Sequence, residues 1–158
     1  MKFGIFDHMD RGGVPLSQQY EERLKLVEAY DQAGFFCYHL AEHHATPLGM
    51  APSPAVFLSA VAQRARRMRI GALVYILSLQ NPLRDYEAIC MLAQLSGGRL
   101  ELGLGRGVSP VEIEYYGVNP EESRARYQEA LAVLMQAFTS DTLTFNGKSF
   151  RSENGLKD

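Results

Sequence analysis

A chain of 158 residues, 46% hydrophobic and 22% charged, has the composition of a soluble globular domain and the length to bury one sizeable core. The net charge of −2 gives no general attraction to nucleic acid or to an anionic membrane. Two cysteines, Cys37 and Cys90, lie within apolar runs, a pattern that points to buried free thiols in a reducing compartment and away from disulfide frameworks or metal knuckles.

The opening run, residues 1–6, turns polar at Asp7, too soon for the hydrophobic region of an export signal. The longest apolar stretch, residues 70–77, falls short of the roughly 20 residues that a membrane-spanning helix needs. A cytoplasmic location is expected.

Four β-type runs are predicted at residues 2–6, 35–41, 69–77 and 99–104, with near-constant spacing between their starts. Helical patterns lie between them. The first carries Tyr20, Leu24, Val27 and Tyr30, with Gly34 placed to end it. A later one carries Leu83, Tyr86, Ile89, Cys90 and Ala93, closed by Gly97 and Gly98, and the last carries Tyr127, Leu131, Leu134 and Phe138. Ser53-Pro54, Asn81-Pro82 and Asn119-Pro120 each place a capping side chain before a proline suited to a first helical position, and Glu121 and Glu122 add favourable charge to the last of these starts. The repetition predicts βαβ units, hence a parallel sheet with helices outside it. Residues 142–150 read as a β-hairpin turning tightly at Asn146-Gly147, and residues 151–158 show no periodic signal. Two organisational units follow: residues 1–138 with four βα units, and residues 139–158 with the hairpin and tail.

Four βα units fit a small doubly wound sheet or half of an eight-unit barrel, which typically takes about 250 residues. In both, ligands meet the carboxyl ends of the strands, so the loops at 7–16, 42–52, 78–81 and 105–119 are the ones to read.

Glu42-His43-His44 follows the second predicted strand. An imidazole titrates near neutrality and an adjacent carboxylate can orient it, which is what acid–base chemistry requires; the alternative is that the histidines only fill the strand ends with hydrogen bonds. His39, Glu42 and His43 also match the H-x-x-E-H zinc pattern. That pattern needs a helix, whereas the run before it reads as a strand, so no metal is expected. Gly103-Leu104-Gly105-Arg106-Gly107 combines close backbone approach with an arginine fork suited to a phosphate. The competing reading is a tight turn with Arg106 paired to Glu112 or Glu114. The basic run Arg64-Ala65-Arg66-Arg67-Met68-Arg69 reads as helix-end cations that face water.

Taken together, these motifs give the chain a specific resemblance. It resembles the amino-terminal half of the bacterial-luciferase-like, flavin-dependent monooxygenases. The resemblance rests on the opening run of residues 1–6, on Ala41-Glu42-His43-His44, on Arg69-Ile70-Gly71, and on Asn81-Pro82-Leu83-Arg84. The run from Leu95 to Gly107 and Ser123-Arg124-Ala125-Arg126-Tyr127 extend it nearly end to end. The resemblance implies the α/β fold of the (β/α)8 TIM-barrel family, here the first four units plus a hairpin, a half-barrel. It implies reduced FMN, supplied by a flavin reductase, with O2 as co-substrate and a small organic substrate. Arg106 aligns with an arginine that contacts the flavin phosphate, in the turn that includes Gly105. His43 aligns with the active-site histidine, and Leu73-Val74-Tyr75 with a third-strand segment beneath the flavin ring that can carry a non-proline cis peptide. The family's members carry eight units, so the chain is expected to be a piece of a longer enzyme whose exposed strand edges favour a homo-oligomer. A deazaflavin-dependent dehydrogenase on the same barrel and a non-catalytic flavin-binding half-barrel remain alternatives. A flavodoxin-like carrier does not fit, because residues 7–13 lack a hydroxyl-rich phosphate loop.

Overall fold

A computed structural model describes residues 1–156. The elements run β1 (Gly4–Asp7), α1 (Leu16–Ala33), β2 (Cys37–Leu40), α2 (Pro54–Arg64), β3 (Arg69–Ala72), β4 (Tyr75–Ile76), α3 (Pro82–Leu95), β5 (Leu104–Gly105), α4 (Pro110–Tyr115), α5 (Ser123–Thr139), β6 (Thr142–Asn146) and β7 (Arg151–Leu156). Two compact units divide them: Met1–Tyr75 with Met91–Leu104, and Ile76–Cys90 with the chain from Gly105 onward.

The first unit is built on the parallel sheet β1-β2-β3, in register from Gly4 opposite Cys37 and Cys37 opposite Arg69. Successive strand residues face opposite sides. Tyr38, Leu40, Ile70 and Ala72 are fully buried on the side taken by α2, on which α1 packs through residues such as Val27, with Leu58 and Val61 behind. Cys37, His39 and Arg69 point the other way and stay half-buried. Beyond β3 the chain 99–104 continues the pairing through a parallel bridge between Ile70 and Leu100. α1 ends at Gly34 in the left-handed region, as its spacing predicts.

The third predicted strand does not run unbroken. Residues 69–77 form two short strands, β3 and β4, with a cis peptide between Leu73 and Val74 at the break. The fourth predicted strand is reduced to the isolated bridge at Leu100 and the two-residue β5, which reaches Gly105.

The caps also differ from the prediction. Pro54 opens α2, but the Ser53 side chain makes no capping bond. Asn81 Oδ1 does accept from Leu83 N. Asn119 Oδ1 accepts from Glu121 N within a turn, and α5 begins only at Ser123, so Glu121 and Glu122 precede the helix. Residues 105–119, read as loop, contain α4, whose start is capped by Ser109 Oγ accepting from Glu112 N.

The buried helix faces are offset from the predicted stripes. On α5 they are Ala130, Val133, Leu134 and Ala137; Phe138 is exposed and meets Tyr86 edge-on at 5.2 Å. On α3 they are Pro82, Asp85, Ile89 and Leu92. On α5 the small residues Ala130 and Ala137, and on α3 the polar Asp85, take buried positions that an apolar stripe does not mark.

In the second unit the hairpin turns differently from the expected two-residue turn. β6 and β7 pair antiparallel with Asn146 opposite Arg151, and residues 147–150 form the loop. The Glu129 carboxylate on α5 accepts from the backbone N–H groups of Lys148, Ser149 and Phe150, drawing these residues out of strand geometry. The Ser149 bond leads in holding the Glu129 carboxyl below its ordinary range. The 151–156 segment, without periodic signal, is the returning strand.

The basic run is more engaged than a water-facing cluster. Arg64 bridges Glu21 and Glu28, and Arg69 Nε donates to Glu101 Oε1 at 2.7 Å. The buried Asp31 accepts from the backbone N–H groups of Arg66, Arg67 and Met68. Burial works against the Asp31 charge, but the three backbone bonds and Arg67 outweigh it and hold the carboxyl below its ordinary value. A depressed folded pKa means stability that is present above the carboxylate range and lost as pH falls through it. Asp31→Asn is expected to destabilise the first unit by about 1–3 kcal/mol at neutral pH, with the deficit shrinking under acid; urea melts at two pH values check both.

Candidate functional site

The carboxyl ends of β1 and β2 are organised by one buried carboxylate. Asp7 closes β1, its Oδ1 accepting from Met9 N at 2.9 Å and its Oδ2 from the Tyr38 hydroxyl at 2.6 Å. Arg23 of α1 pairs with Oδ2 at 3.3 Å. Burial first, then the Asp7 charge, push the Tyr38 phenol far up, so it stays a neutral donor. The following loop is tied to the loop after β2 by Met50 N to Met9 O and Arg11 N to Pro47 O.

Within this frame Glu42, His43 and His44 divide their tasks. Alternate residues of an extended segment face opposite ways. Glu42 and His44 both point inward, nearly fully buried, with His44 Nε2 and Glu42 Oε1 2.8 Å apart. His43 faces outward and half-buried, its ring stacked on His8 at 5.5 Å between centroids and 14° between planes. The buried pair orients the backbone that presents His43. Gly49 packs directly on it: a Cβ there would lie 2.6 Å from His43 Cβ and 3.3 Å from its Cα. Sequence reading singles out His43 but not Asp7, His8 or Gly49, because their roles arise from contacts across two loops.

In the same unit, Leu73 is about half exposed and Leu73 N donates to Leu40 O, which holds the cis Leu73–Val74 segment against the end of β2. The cis bond that the resemblance allows for this segment is present.

The second unit contains the glycine-opened turn. Gly105 O accepts from Leu77 N, and the Ser78 hydroxyl donates to Arg106 O at 2.6 Å, fixing the turn's backbone. Ser78 O accepts from Arg126 Nε at 2.7 Å. The Arg106 guanidinium donates to Ser123 Oγ, whose own proton goes to Pro120 O. Arg106, Arg124, Tyr127 and Gln128 line a cavity of about 410 Å³. Two guanidiniums, a phenol and an amide form a donor-rich wall, which is what an anion such as a phosphate ester requires. Arg124 and Tyr127 belong to a motif visible in the sequence, but only the first two turns of α5 carry them and Gln128 to the Arg106 turn.

The profile of the luciferase-like monooxygenases matches residues 1–157. The chain belongs to this family. Over 154 residues it is 52% identical to the uncharacterized protein y4wF of Sinorhizobium fredii, covering 98% of this chain and 45% of that protein. The monooxygenase RslO1 of Streptomyces bottropensis matches with a TM-score of 0.92 at 30% identity, over 98% of this chain and 48% of that one. The oxygenating constituent of 3,6-diketocamphane monooxygenase from Pseudomonas putida, solved in complex with FMN, shares the fold with a TM-score of 0.89 at 21% identity, over 96% and 43%. The fold is thus α/β, the first half of the (β/α)8 barrel of this family, and the chain spans about half the length of the relatives it matches. Among the described residues no helix is long and apolar enough to cross a membrane.

Gly49→Ala is expected to displace His43, shifting the ring resonances of His8 and His43 in NMR spectra and destabilising the unit by roughly 1–3 kcal/mol through overpacking. Unchanged His43 resonances would show that Gly49 does not set its position.

Proposed function

We propose that a barrel built on this half is a flavin-dependent monooxygenase that uses reduced FMN and O2 on a small organic substrate. The observation that carries the reading is the cavity walled by Arg106, Arg124, Tyr127 and Gln128 beside the glycine-opened turn. Its donor-rich wall, with two guanidiniums, fits the FMN phosphate, so these residues are the ones that would hold that end of the cofactor. Family membership supports the redox class, and the FMN-bound diketocamphane enzyme supports FMN as the flavin.

When bound, reduced FMN supplies the electrons with which O2 is activated and a substrate oxygenated. This chain's part is binding, orientation and proton handling. Arg106, its backbone pinned by Ser78, binds the phosphate, and the Gly105 backbone keeps the turn close to it. His43, presented by the Glu42–His44 pair, holds or delivers a proton at an imidazole ring nitrogen. The segment at Leu73 and Val74 offers apolar surface for the flavin ring and keeps water from it. A separate flavin reductase supplies the reduced cofactor, and self-association covers the exposed strand edges.

FMN titration of the chain tests the anchor. Arg106→Ala and Arg124→Ala are each expected to weaken FMN by roughly 10–150-fold, the worth of a hydrogen bond to a charged group, while leaving riboflavin, which lacks the phosphate, unaffected. Equal losses for both ligands would refute a phosphate role; preference for a deazaflavin would turn the reading toward a dehydrogenase. In a full-length enzyme with a competent substrate, His43→Ala is expected to slow turnover about a hundredfold or more, the usual contribution of a positioned acid or base.

A further inference from the structure

The half-buried face of the first unit's sheet holds a second cluster of reactive side chains that plays no part in the flavin reading. Cys37 and His39 lie two residues apart on β2 and therefore project to the same side. Glu101 reaches the same face from the segment beyond β3, one residue after the Ile70–Leu100 bridge. Two glycines make the room. Gly71 stands opposite His39 in the ladder, and a Cβ there would run into the backbone of Glu101. Gly4 stands opposite Cys37, and a Cβ there would strike its Sγ.

Across this hollow the Cys37 sulfur, an imidazole nitrogen of His39 and a Glu101 carboxylate oxygen all lie within 4.8 Å of one another. His39 Nε2 is already 2.9 Å from Glu101 Oε2. The other oxygen, Oε1, accepts from Arg69 Nε.

We propose that Cys37, His39 and Glu101 form a binding site for a divalent transition-metal ion of the Zn2+ class. One thiolate, one imidazole and one carboxylate are a donor set that zinc accepts, whereas Mg2+ and Ca2+ require mostly oxygen. Metal–ligand bonds of about 2.0–2.3 Å in tetrahedral geometry put donor atoms roughly 3.3–3.7 Å apart. The cluster reaches that spacing if the 2.9 Å His39–Glu101 contact opens by under about 1 Å and the Cys37 sulfur, within 4.8 Å of both, closes by up to about 1.5 Å. Three protein ligands leave the fourth position open to water or an exogenous donor. Arg69 acts as the outer partner that orients the carboxylate, and its charge moderates the affinity. Burial first, then the charge of Glu101, push the Cys37 thiol up, with Arg69 opposing. The sulfur is thus a neutral thiol in the free cluster and becomes a thiolate on metal binding.

The competing account is a plain ion-pair network of Arg69, Glu101 and His39 with a bystander thiol. Titration of the metal-stripped chain with Co2+, followed by absorption, separates the two. The site predicts one Co2+ per chain, with a near-ultraviolet thiolate-to-cobalt band, tetrahedral ligand-field bands in the visible, and displacement of both by Zn2+. The thiolate band should disappear in Cys37→Ser and persist in Cys90→Ser, and His39→Ala and Glu101→Gln should each weaken Co2+ at least tenfold. Arg69→Gln should keep the band, and circular dichroism confirms that each variant is folded. A wild-type chain without the band, or a band that survives Cys37→Ser or is lost in Cys90→Ser, overturns the assignment. The readout involves no flavin, so it stands or falls apart from the monooxygenase reading.

Discussion

Strand geometry forces side chains to alternate between two faces, and the first unit is organised around the way its sequence uses that rule. On β2 and β3 the helix-facing positions are Tyr38, Leu40, Ile70 and Ala72, all fully buried. Burying each large one is worth about 1.5–3 kcal/mol, so the register cannot slip by a residue without turning this set to the open face. With register set, the opposite face necessarily carries Cys37, His39, Arg69 and Glu101, and the strand ends necessarily deliver Asp7 and the 41–44 segment to the same rim. The chemistry is thus a consequence of where the apolar residues had to go.

At that rim the polar groups are held by buried carboxylates. Asp7 collects a phenol, a guanidinium and a backbone N–H, and so joins β1, β2, α1 and the loop carrying His8. Asp31 does the same where α1 meets the approach to β3, and in the second unit Glu129 gathers three N–H groups of the hairpin loop. A carboxylate accepting several N–H bonds holds an irregular segment in one conformation, because releasing it would leave donors unsatisfied. A loop built this way can present His43 on a fixed backbone, while the Ser78 hydroxyl and Leu77 N hold the Arg106 turn. Fixed presentation is what a cofactor site requires, since binding then costs little ordering.

The two candidate sites differ in kind. The Arg106 cavity is donor-rich and suits an anion. The Cys37, His39 and Glu101 cluster offers a soft, a borderline and a hard donor and suits a cation. Each lies within a single unit, and each depends on a serine or glycine whose value is small size or a single hydrogen bond: Ser78 behind Arg106, Gly71 between His39 and Glu101.

The sequence alone determined the family, the α/β class, the end of α1 at Gly34, and the candidacy of His43 and Arg106. These follow from local signals, such as periodicity, glycine stops and short motifs, that act within a few residues. It did not determine the break between β3 and β4, the start of α5 at Ser123, the loop at 147–150 or the burial of Ala130 and Ala137. Nor did it show that Gly49 supports His43, that Arg124, Tyr127 and Gln128 join Arg106, or that Glu101 crosses Gly71 to meet His39. Those were decided in three dimensions, because most depend on contacts made only once the chain has folded, such as the Glu129 carboxylate that captures the hairpin loop. Local propensity does not encode a partner it cannot reach until the chain has folded.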